Sequence, residues 1–180
     1  MRYTSFIQGI NVGRAKRVAM VELRALAGEL GYTHIRTLRN SGNLVFNASR
    51  NQGKCASRRI EKELNSRLDV AARVITLTAE ELDEVVNQNP FEDIATNPAR
   101  LMTAVIEDPH ELQRLQLLVQ QEWIPEMIAI GSRVAYLWCP GGVLASPLAK
   151  EVIALMGNMV TMSNWTTIVK LQKLAHLKTS

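Results

Sequence analysis

The sequence has little from which a metal centre or a disulfide framework could be built. It contains two cysteines and three histidines in 180 residues. Neither the cysteines, Cys55 and Cys139, nor the histidines, His34, His110 and His176, have the spacing of metal ligands. We therefore expect reduced thiols in a cytoplasmic protein, with no metal and no cofactor.

Aromatic residues and long apolar runs are scarce as well. Aromatic residues make up 5% of the chain, and no K/R-G-F-x-F-like run is present, so a sheet that stacks RNA bases is not favoured. The longest apolar runs, such as 127–130 and 152–156, fall far short of the roughly 20 residues that cross a bilayer. Residues 1–3 lead directly into a predicted strand. We expect neither a membrane partner nor a signal peptide.

The rest of the composition is that of an ordinary globular protein with a basic first half. Hydrophobic residues make up 47% and charged residues 21% of the chain, and the net charge is +4. Residues 1–90 carry 14 Lys and Arg against 9 Asp and Glu, whereas residues 91–180 carry 7 against 8. A basic half can attract nucleic acid or phosphorylated ligands. An imbalance this small is also typical of a solvated surface.

The order of predicted elements repeats once along the chain. The first half has strand 2–8, a loop over 9–17, a helix ending at Gly31, strands 34–38 and 43–47, helix 54–68 and strand 72–77. The second half has strand 101–106, a helix from Pro109 to about Gln121, strands 126–130 and 133–137, a helix capped by Ser146, strand 160–163 and a terminal helix. Each half therefore has the β-α-β-β-α-β order. We predict an α/β (α+β) protein of two tandem ferredoxin-like units, 1–90 and 91–180, with an extra C-terminal helix.

The loop over residues 9–17 is the most site-like segment. It contains Gly9 and Gly13, and the cations Arg14, Lys16 and Arg17 lead into the helix. Glycines let backbone approach a ligand, and N–H groups at a helix start can hold an anion. The G-x-x-x-G spacing matches neither the dinucleotide fingerprint nor the phosphate-binding P-loop. The alternative is a structural turn in which Asn11 bonds nearby backbone.

The hairpin between the second and third strands is expected to share this end of the sheet. In a split βαββαβ unit the first loop and this hairpin lie on the same side, so their polar residues would meet. The predicted ligand-binding residues are Asn11, Gly13, Arg14, Lys16, Arg17, Arg39, Ser41 and Asn43.

Three classes of function remain open at the level of sequence. The preferred one is non-catalytic binding of a small anionic or phosphorylated ligand, or of nucleic acid. For nucleic acid, a basic helix face is the candidate: Arg50, Lys54, Arg58, Arg59 and Lys62. The second is an enzyme of unknown chemistry whose site is assembled from the same loop and hairpin, with no catalytic residue assigned. The third is a protein–protein interaction module. The oligomeric state is not predicted.

Five motifs resemble a bacterial conserved-hypothetical family, domain of unknown function 1697. They are Gly9-Ile10-Asn11-Val12-Gly13, Val18-Ala19-Met20-x-x-Leu23-Arg24, Ser41-Gly42-Asn43, Asn89-Pro90-Phe91 and Asn164-Trp165-x-Thr167. The resemblance covers nearly the whole chain. It implies an α/β fold of two ferredoxin-like units and no established activity.

The chain departs from the family's usual pattern at basic positions. Gln8 and Ser163 stand where the family usually has Arg, and Pro147 stands where it usually has Lys; Arg14 replaces a usual Gly. Three commonly basic positions are therefore neutral. Whether this removes or retunes an anion site is left open by the sequence.

Overall fold

Contacts along the chain divide it into two units, which are described separately. The structure, a computed structural model, describes residues 1–39 and 42–178. The first unit contains Met1–Leu82 together with the residues from Lys170 onward, and the second contains Asp83–Val169.

The first unit is a four-stranded antiparallel sheet covered by helices. Its strands follow the order β2-β3-β1-β4. The elements are β1 (Arg2–Gln8), α1 (Met20–Glu29), β2 (Thr33–Thr37), β3 (Leu44–Asn47), α2 (Arg50–Lys54), α3 (Ala56–Leu68) and β4 (Arg73–Thr78). Helix α4 (Ala79–Asn87) follows and crosses the boundary between the units.

Strand β1 is central, and consecutive side chains along it are buried. Tyr3 and Ile7 pack in the core that also contains Leu23 and Ile60 of the helices. Phe6 points to the other face of the strand and is only 1% exposed. A strand buried on both faces needs no alternation of polar and apolar residues. This explains why the sequence of β1 has none.

Side-chain caps set several helix ends in the first unit. Ser49 Oγ accepts from the Gln52 N–H at 3.3 Å, so the predicted helix 54–68 is preceded by the short helix α2. Asp69, in the left-handed conformation with φ 53°, ends α3. A capping box starts α4, since Thr78 and Glu81 bond each other's backbone N–H groups at 2.9 and 3.1 Å.

The second unit is also a four-stranded antiparallel sheet, in the order β6-β7-β5-β8. Its elements are β5 (Leu101–Ile106), α5 (Gln116–Val119), β6 (Met127–Ile130), β7 (Val134–Trp138), α6 (Pro147–Met156) and β8 (Val160–Asn164). Helix α7 (Trp165–His176) begins in this unit. Its core lies between the sheet and α6, where Ala104, Leu137 and Val152 are fully buried.

One predicted helix of the second unit is different in kind. Asp108 caps it, accepting from the His110 N–H at 3.0 Å. The segment Pro109–Leu115 is a 3-10 helix, and only the four residues of α5 are α-helical. The predicted helix from Pro109 to about Gln121 is therefore mostly a 3-10 helix, and its α-helical part ends at Val119.

The architecture is an α+β fold, as the element order predicted. Each sheet is accompanied by helices that follow its strands in the sequence. The finer description as tandem ferredoxin-like units stays a prediction, and so do the boundaries at 1–90 and 91–180. Within the described residues, no helix combines the length and the apolar character needed to cross a membrane.

Candidate functional site

Asn11 closes the loop that precedes α1. Its Oδ1 accepts from the Val18 N–H at 2.8 Å, and its Nδ2 donates to the Val18 carbonyl at 2.9 Å. The Asn11 backbone N–H donates to the Lys16 carbonyl at 3.1 Å. Asn11 has φ 56°, a left-handed conformation that Asn adopts more readily than most residues. The loop is therefore a closed structure in which Asn11 bonds backbone.

The three cations of this loop have different surroundings. Lys16 Nζ donates to the Leu68 carbonyl at the end of α3, where a cation also complements the helix dipole. Arg17 donates from one guanidinium nitrogen to the Asn11 carbonyl at 2.8 Å. Arg14 is exposed beside the exposed Gly13, which has φ 54°. Lys16 is thus held by the fold, whereas Arg17 keeps most of its five N–H donors for other partners.

A shallow depression lies where the loop meets α1. It has a volume of about 250 Å³, is open to solvent, and is lined by Asn11, Arg17, Val18 and Ala19. Ala19 is the N-cap residue of α1, and among the described residues no side chain caps the helix by hydrogen bonding to its first turn. Since the first N–H groups of a helix have no partner inside it, this end of α1 offers donors beside the Arg17 cation.

Glu22 is the acidic residue closest to these donors along the chain. Its carboxylate accepts from the Ala19 backbone N–H at 3.2 Å. A carboxylate in the first turn stabilises the helix by complementing its dipole. The same charge opposes the approach of a second anion.

The loop and the β2–β3 hairpin do lie against each other, through an apolar contact. A side-chain carbon built on Gly42 would come within 2.5 Å of Ile10 Cδ1, so the glycine backbone packs on the Ile10 side chain. Ile10 is 1% exposed and belongs to the core of this unit. The hairpin meets the loop through hydrocarbon at this point.

The hairpin residues predicted to bind a ligand have separate environments. Arg39 is exposed and has φ 48°. Asn43 is buried, and its carbonyl accepts from the Leu38 N–H at 3.3 Å. Ser41 lies outside the described residues. Of the eight predicted residues, Asn11 and Arg17 are the ones that line the depression together.

In the part of this loop and hairpin that the structure describes, side chains suited to catalysis do not lie close together. His34 lies on β2 with its ring near Thr33 and Asn47, each at 3.3 Å. Cys55 is exposed, and Cys139 is buried in the second unit. Over residues 1–39 and 42–178, no three His, Cys, Asp or Glu side chains are grouped so that they could hold a metal ion.

A second depression, in the second unit, was not predicted from the sequence. It has a volume of about 220 Å³, and its lining includes Trp123, Glu126, Gly142 and Ser146. The sequence signal available was the Gly141-Gly142 pair shortly before the Ser146-Pro147 helix start. The sequence pattern predicts Ser146 only as a helix cap.

The fold places this chain among α+β proteins with two antiparallel sheets, and its likeness to a solved structure agrees with this class. A solved structure described as conserved bacterial protein SP0830 from Streptococcus pneumoniae has a TM-score of 0.71 and 20% sequence identity, covering 97% of this chain and 98% of that one. At that identity the likeness establishes the fold. A search of curated proteins found no match.

Residues 1–136 match the family described as "Protein of unknown function (DUF1697)". The chain belongs to this family, which confirms the resemblance; four of the five motifs lie within the matched residues. The family description assigns no activity.

The neutral replacements noted in the sequence fall on ordered elements. Gln8 ends β1 opposite Arg73, Ser163 pairs with Thr103 in the second sheet, and Pro147 is the first residue of α6. Proline fits a first helical position because the N–H it lacks would have no partner inside the helix. None of the three lines the depression at Arg17.

Proposed function

We propose that the first unit binds a small phosphorylated or carboxylated anion at the depression formed by Asn11, Arg17 and the start of α1, and performs no chemistry on it. The observation that carries this proposal is the shared depression: Arg17 and the start of α1, at its N-cap residue Ala19, line the same space. Both attract negative charge, one through full charge and the other through backbone dipoles.

The composition of the lining supports binding rather than catalysis. Asn11, Val18 and Ala19 have no ionisable side chain, and the arginine guanidinium has no proton-accepting atom. Among the described residues, the lining therefore contains no carboxylate, imidazole, thiol or amine that could serve as a general acid or base. These four residues also bring no negative charge to repel an anion.

The loop supports the same proposal by holding Arg17 in place. The Asn11 carbonyl accepts from Arg17, and the Asn11 side chain is fixed by Val18 on the other side of the loop. A guanidinium positioned before the ligand arrives loses less conformational entropy on binding.

Isothermal titration with inorganic phosphate and pyrophosphate tests the proposal. Arg17→Ala should weaken binding about 10- to 100-fold, since a hydrogen bond to a charged group contributes roughly 1.5–3 kcal/mol. Arg58→Ala is the matched control, because Arg58 is an exposed cation on α3 outside the depression. Equal affinities of the two variants would refute the proposed role of Arg17.

Nucleic acid is the second candidate ligand, and one arrangement favours it. Arg50, Lys54, Arg58 and Lys62 recur every four residues along α2 and α3, and most of this row is exposed. Like charges four residues apart destabilise a helix, and within the described residues none of the four forms an ion pair. A phosphodiester backbone would neutralise such a row.

Binding of a single-stranded oligonucleotide at several salt concentrations separates the two candidates. If the row binds phosphates, the double change Arg58→Ala with Lys62→Ala weakens binding and lowers the salt slope by roughly 0.7 for each phosphate that is no longer neutralised. Arg17→Ala is then the control. Oligonucleotide affinity unaffected by the double change rules out the cationic row as a nucleic-acid surface.

A further inference from the structure

The depression in the second unit is a small walled site at the start of α6. Three segments form it: residues 123–126 before β6, the Gly141–Gly142 bend after β7, and residues 145–147. A side-chain carbon on either glycine would meet no atom within 4 Å, so these positions leave the mouth open. Its volume of about 220 Å³ suits a ligand of a few heavy atoms or one end of a larger molecule.

A helix start usually favours an anion, but this one has its donors occupied. Pro147 is the first helical residue and has no N–H. The Leu148 N–H donates to Glu126 Oε1 at 3.2 Å, and the Ala149 N–H donates to Ser146 Oγ at 2.9 Å. The Lys150 N–H donates to the Ser146 carbonyl at 3.2 Å. Every N–H of residues 147–150 is thus either absent or already bonded, and an incoming anion would have to displace a partner.

The charge in the wall is negative. Glu126 is half-buried and is the only acidic residue among the described residues of the lining, which include no Lys or Arg. The neighbouring Cys139 thiol is fully buried and 3.5 Å from Ser146 Oγ. Burial, with a smaller contribution from Glu126, raises the pKa of this thiol to about 11, so it is neutral near pH 7. A carboxylate without a cationic partner in the lining attracts a positive ligand.

An aromatic ring stands beside this carboxylate. Trp123 is half-buried, and its indole N–H donates to the Leu118 carbonyl at 2.8 Å, which fixes the ring. Tryptophan is the best aromatic partner for a cation above its face. Ile124 and Pro125 line the depression, and Ile124 is 77% exposed. These side chains provide apolar surface for an alkyl group.

From these features we propose that the second unit binds an alkylated organic cation, an alkylammonium or alkylguanidinium group, between Trp123 and Glu126. The Glu126 carboxylate faces the charged head, and Ile124 and Pro125 contact the alkyl part. This site is separate from the anion site of the first unit, so either proposal can fail while the other stands.

NMR titration of the Trp123 indole N–H signal with n-butylammonium, n-butylguanidinium, n-butanol and butyrate tests the proposal. We expect saturable binding of the two cations, at least tenfold weaker binding of n-butanol, and none of butyrate. Equal binding of n-butanol, or tighter binding of butyrate, would overturn it. A peptide with a central lysine or arginine distinguishes a protein side chain from a free amine as the source of the cation.

Two substitutions locate the site. Glu126→Gln keeps an oxygen for the Leu148 N–H and removes the charge, so it should weaken n-butylammonium binding at least tenfold and leave n-butanol unchanged. Glu122→Gln removes an exposed charge outside the lining and should have no effect. Should Glu126→Gln fail to fold, Trp123→Phe serves as the second variant. It should bind n-butylammonium several-fold more weakly, and the backbone amide signal of Gly142 then reports the binding. Wild-type affinity in the folded variant would refute the assignment.

Discussion

The Asn11 side chain bonds both the N–H and the carbonyl of Val18, at 2.8 and 2.9 Å. The Asn11 side-chain amide therefore closes the loop by bonding a residue seven positions further along the chain. The loop so formed carries Arg17 and delivers the chain to the first turn of α1. The geometry of the proposed anion site depends on this pair of residues.

Removing the Asn11 amide should destabilise the first unit. Asn11→Ala loses both bonds to Val18 and puts a Cβ-bearing residue without local hydrogen bonds at φ 56°. We expect a loss of about 2 kcal/mol in the free energy of unfolding. Asn11→Gly loses the same bonds without the backbone strain and should lose about 1 kcal/mol less. Chemical denaturation measures the stability of both variants. If both are as stable as the wild type, the two Asn11–Val18 hydrogen bonds contribute nothing to stability.

The loop could be predicted from the sequence, but the fate of its cations could not. Glycines, an Asn and three cations before a helix identify a polar loop at the end of a strand. Lys16 and Arg17 are adjacent and chemically alike in the sequence. Lys16 bonds the carbonyl of Leu68, 52 residues away, and only the packing of α3 beside the loop decides this.

Gly53 packs under the Tyr3 ring, which predicts a second effect on stability. A side-chain carbon at Gly53 would overlap the ring atoms of Tyr3. In a helix Ala is normally about 1 kcal/mol better than Gly. Here overpacking against Tyr3 should make the same substitution destabilising, and Gly53→Ala should lower the free energy of unfolding by about 1–3 kcal/mol.

Gly141→Ala is the control for this prediction. A methyl carbon placed on Gly141 would have no atom within 4 Å, and the residue has no positive φ. Its change should therefore leave the thermal midpoint within about 1 °C of the wild type. A Gly53→Ala protein that melts at or above the wild-type temperature would contradict the packing described for Tyr3.

Ionisation of Tyr136 is predicted to destabilise the folded protein at alkaline pH. Its hydroxyl donates to the Val85 carbonyl at 2.7 Å within the second unit. Burial raises the pKa of Tyr136 from 10.0 to about 12. Because the folded-state pKa is the higher one, the unfolded chain loses its proton first. The stabilisation is complete below pH 10 and is lost as the pH rises towards 12, by at most about 2.7 kcal/mol.

Tyr136→Phe tests this linkage. The variant should be less stable than the wild type at pH 7 by about 1–2 kcal/mol, because the Val85 carbonyl loses its partner. Its stability should fall less steeply between pH 10 and 12. Parallel curves for the two proteins over that range would contradict the assignment to Tyr136.

The sequence predicted the strands and the helix caps better than it predicted the type of helix at Pro109–Leu115. It did not predict the depression in the second unit. Ser146 before Pro147 and Thr78 before Glu81 have local chemistry that fixes a helix start wherever it lies. Pro109–Leu115 has an equally good cap, yet it forms a 3-10 helix that local chemistry does not distinguish from an α-helix. Strands β6 and β7 separate Trp123 and Glu126 from Ser146 in the sequence, so only the folded chain brings the three together.

Glu22 should limit the affinity of the anion site. Its carboxylate bonds the Ala19 N–H at 3.2 Å, beside the proposed ligand position. Glu22→Gln keeps an acceptor and removes the charge, so phosphate should bind roughly two- to fivefold more tightly by calorimetry. Glu29→Gln makes the same change in net charge at the opposite end of α1 and should have little effect. Weaker phosphate binding by Glu22→Gln would mean that the anion does not approach this turn.

The most direct test of the anion site is an amide-resolved NMR titration with inorganic phosphate. We predict saturable shifts at the N–H groups of Met20, Val21 and Glu22, the uncapped first turn of α1, and their loss in Arg17→Ala. Shifts confined to other parts of the chain, or an Arg17→Ala titration identical to the wild type, would contradict the proposed site.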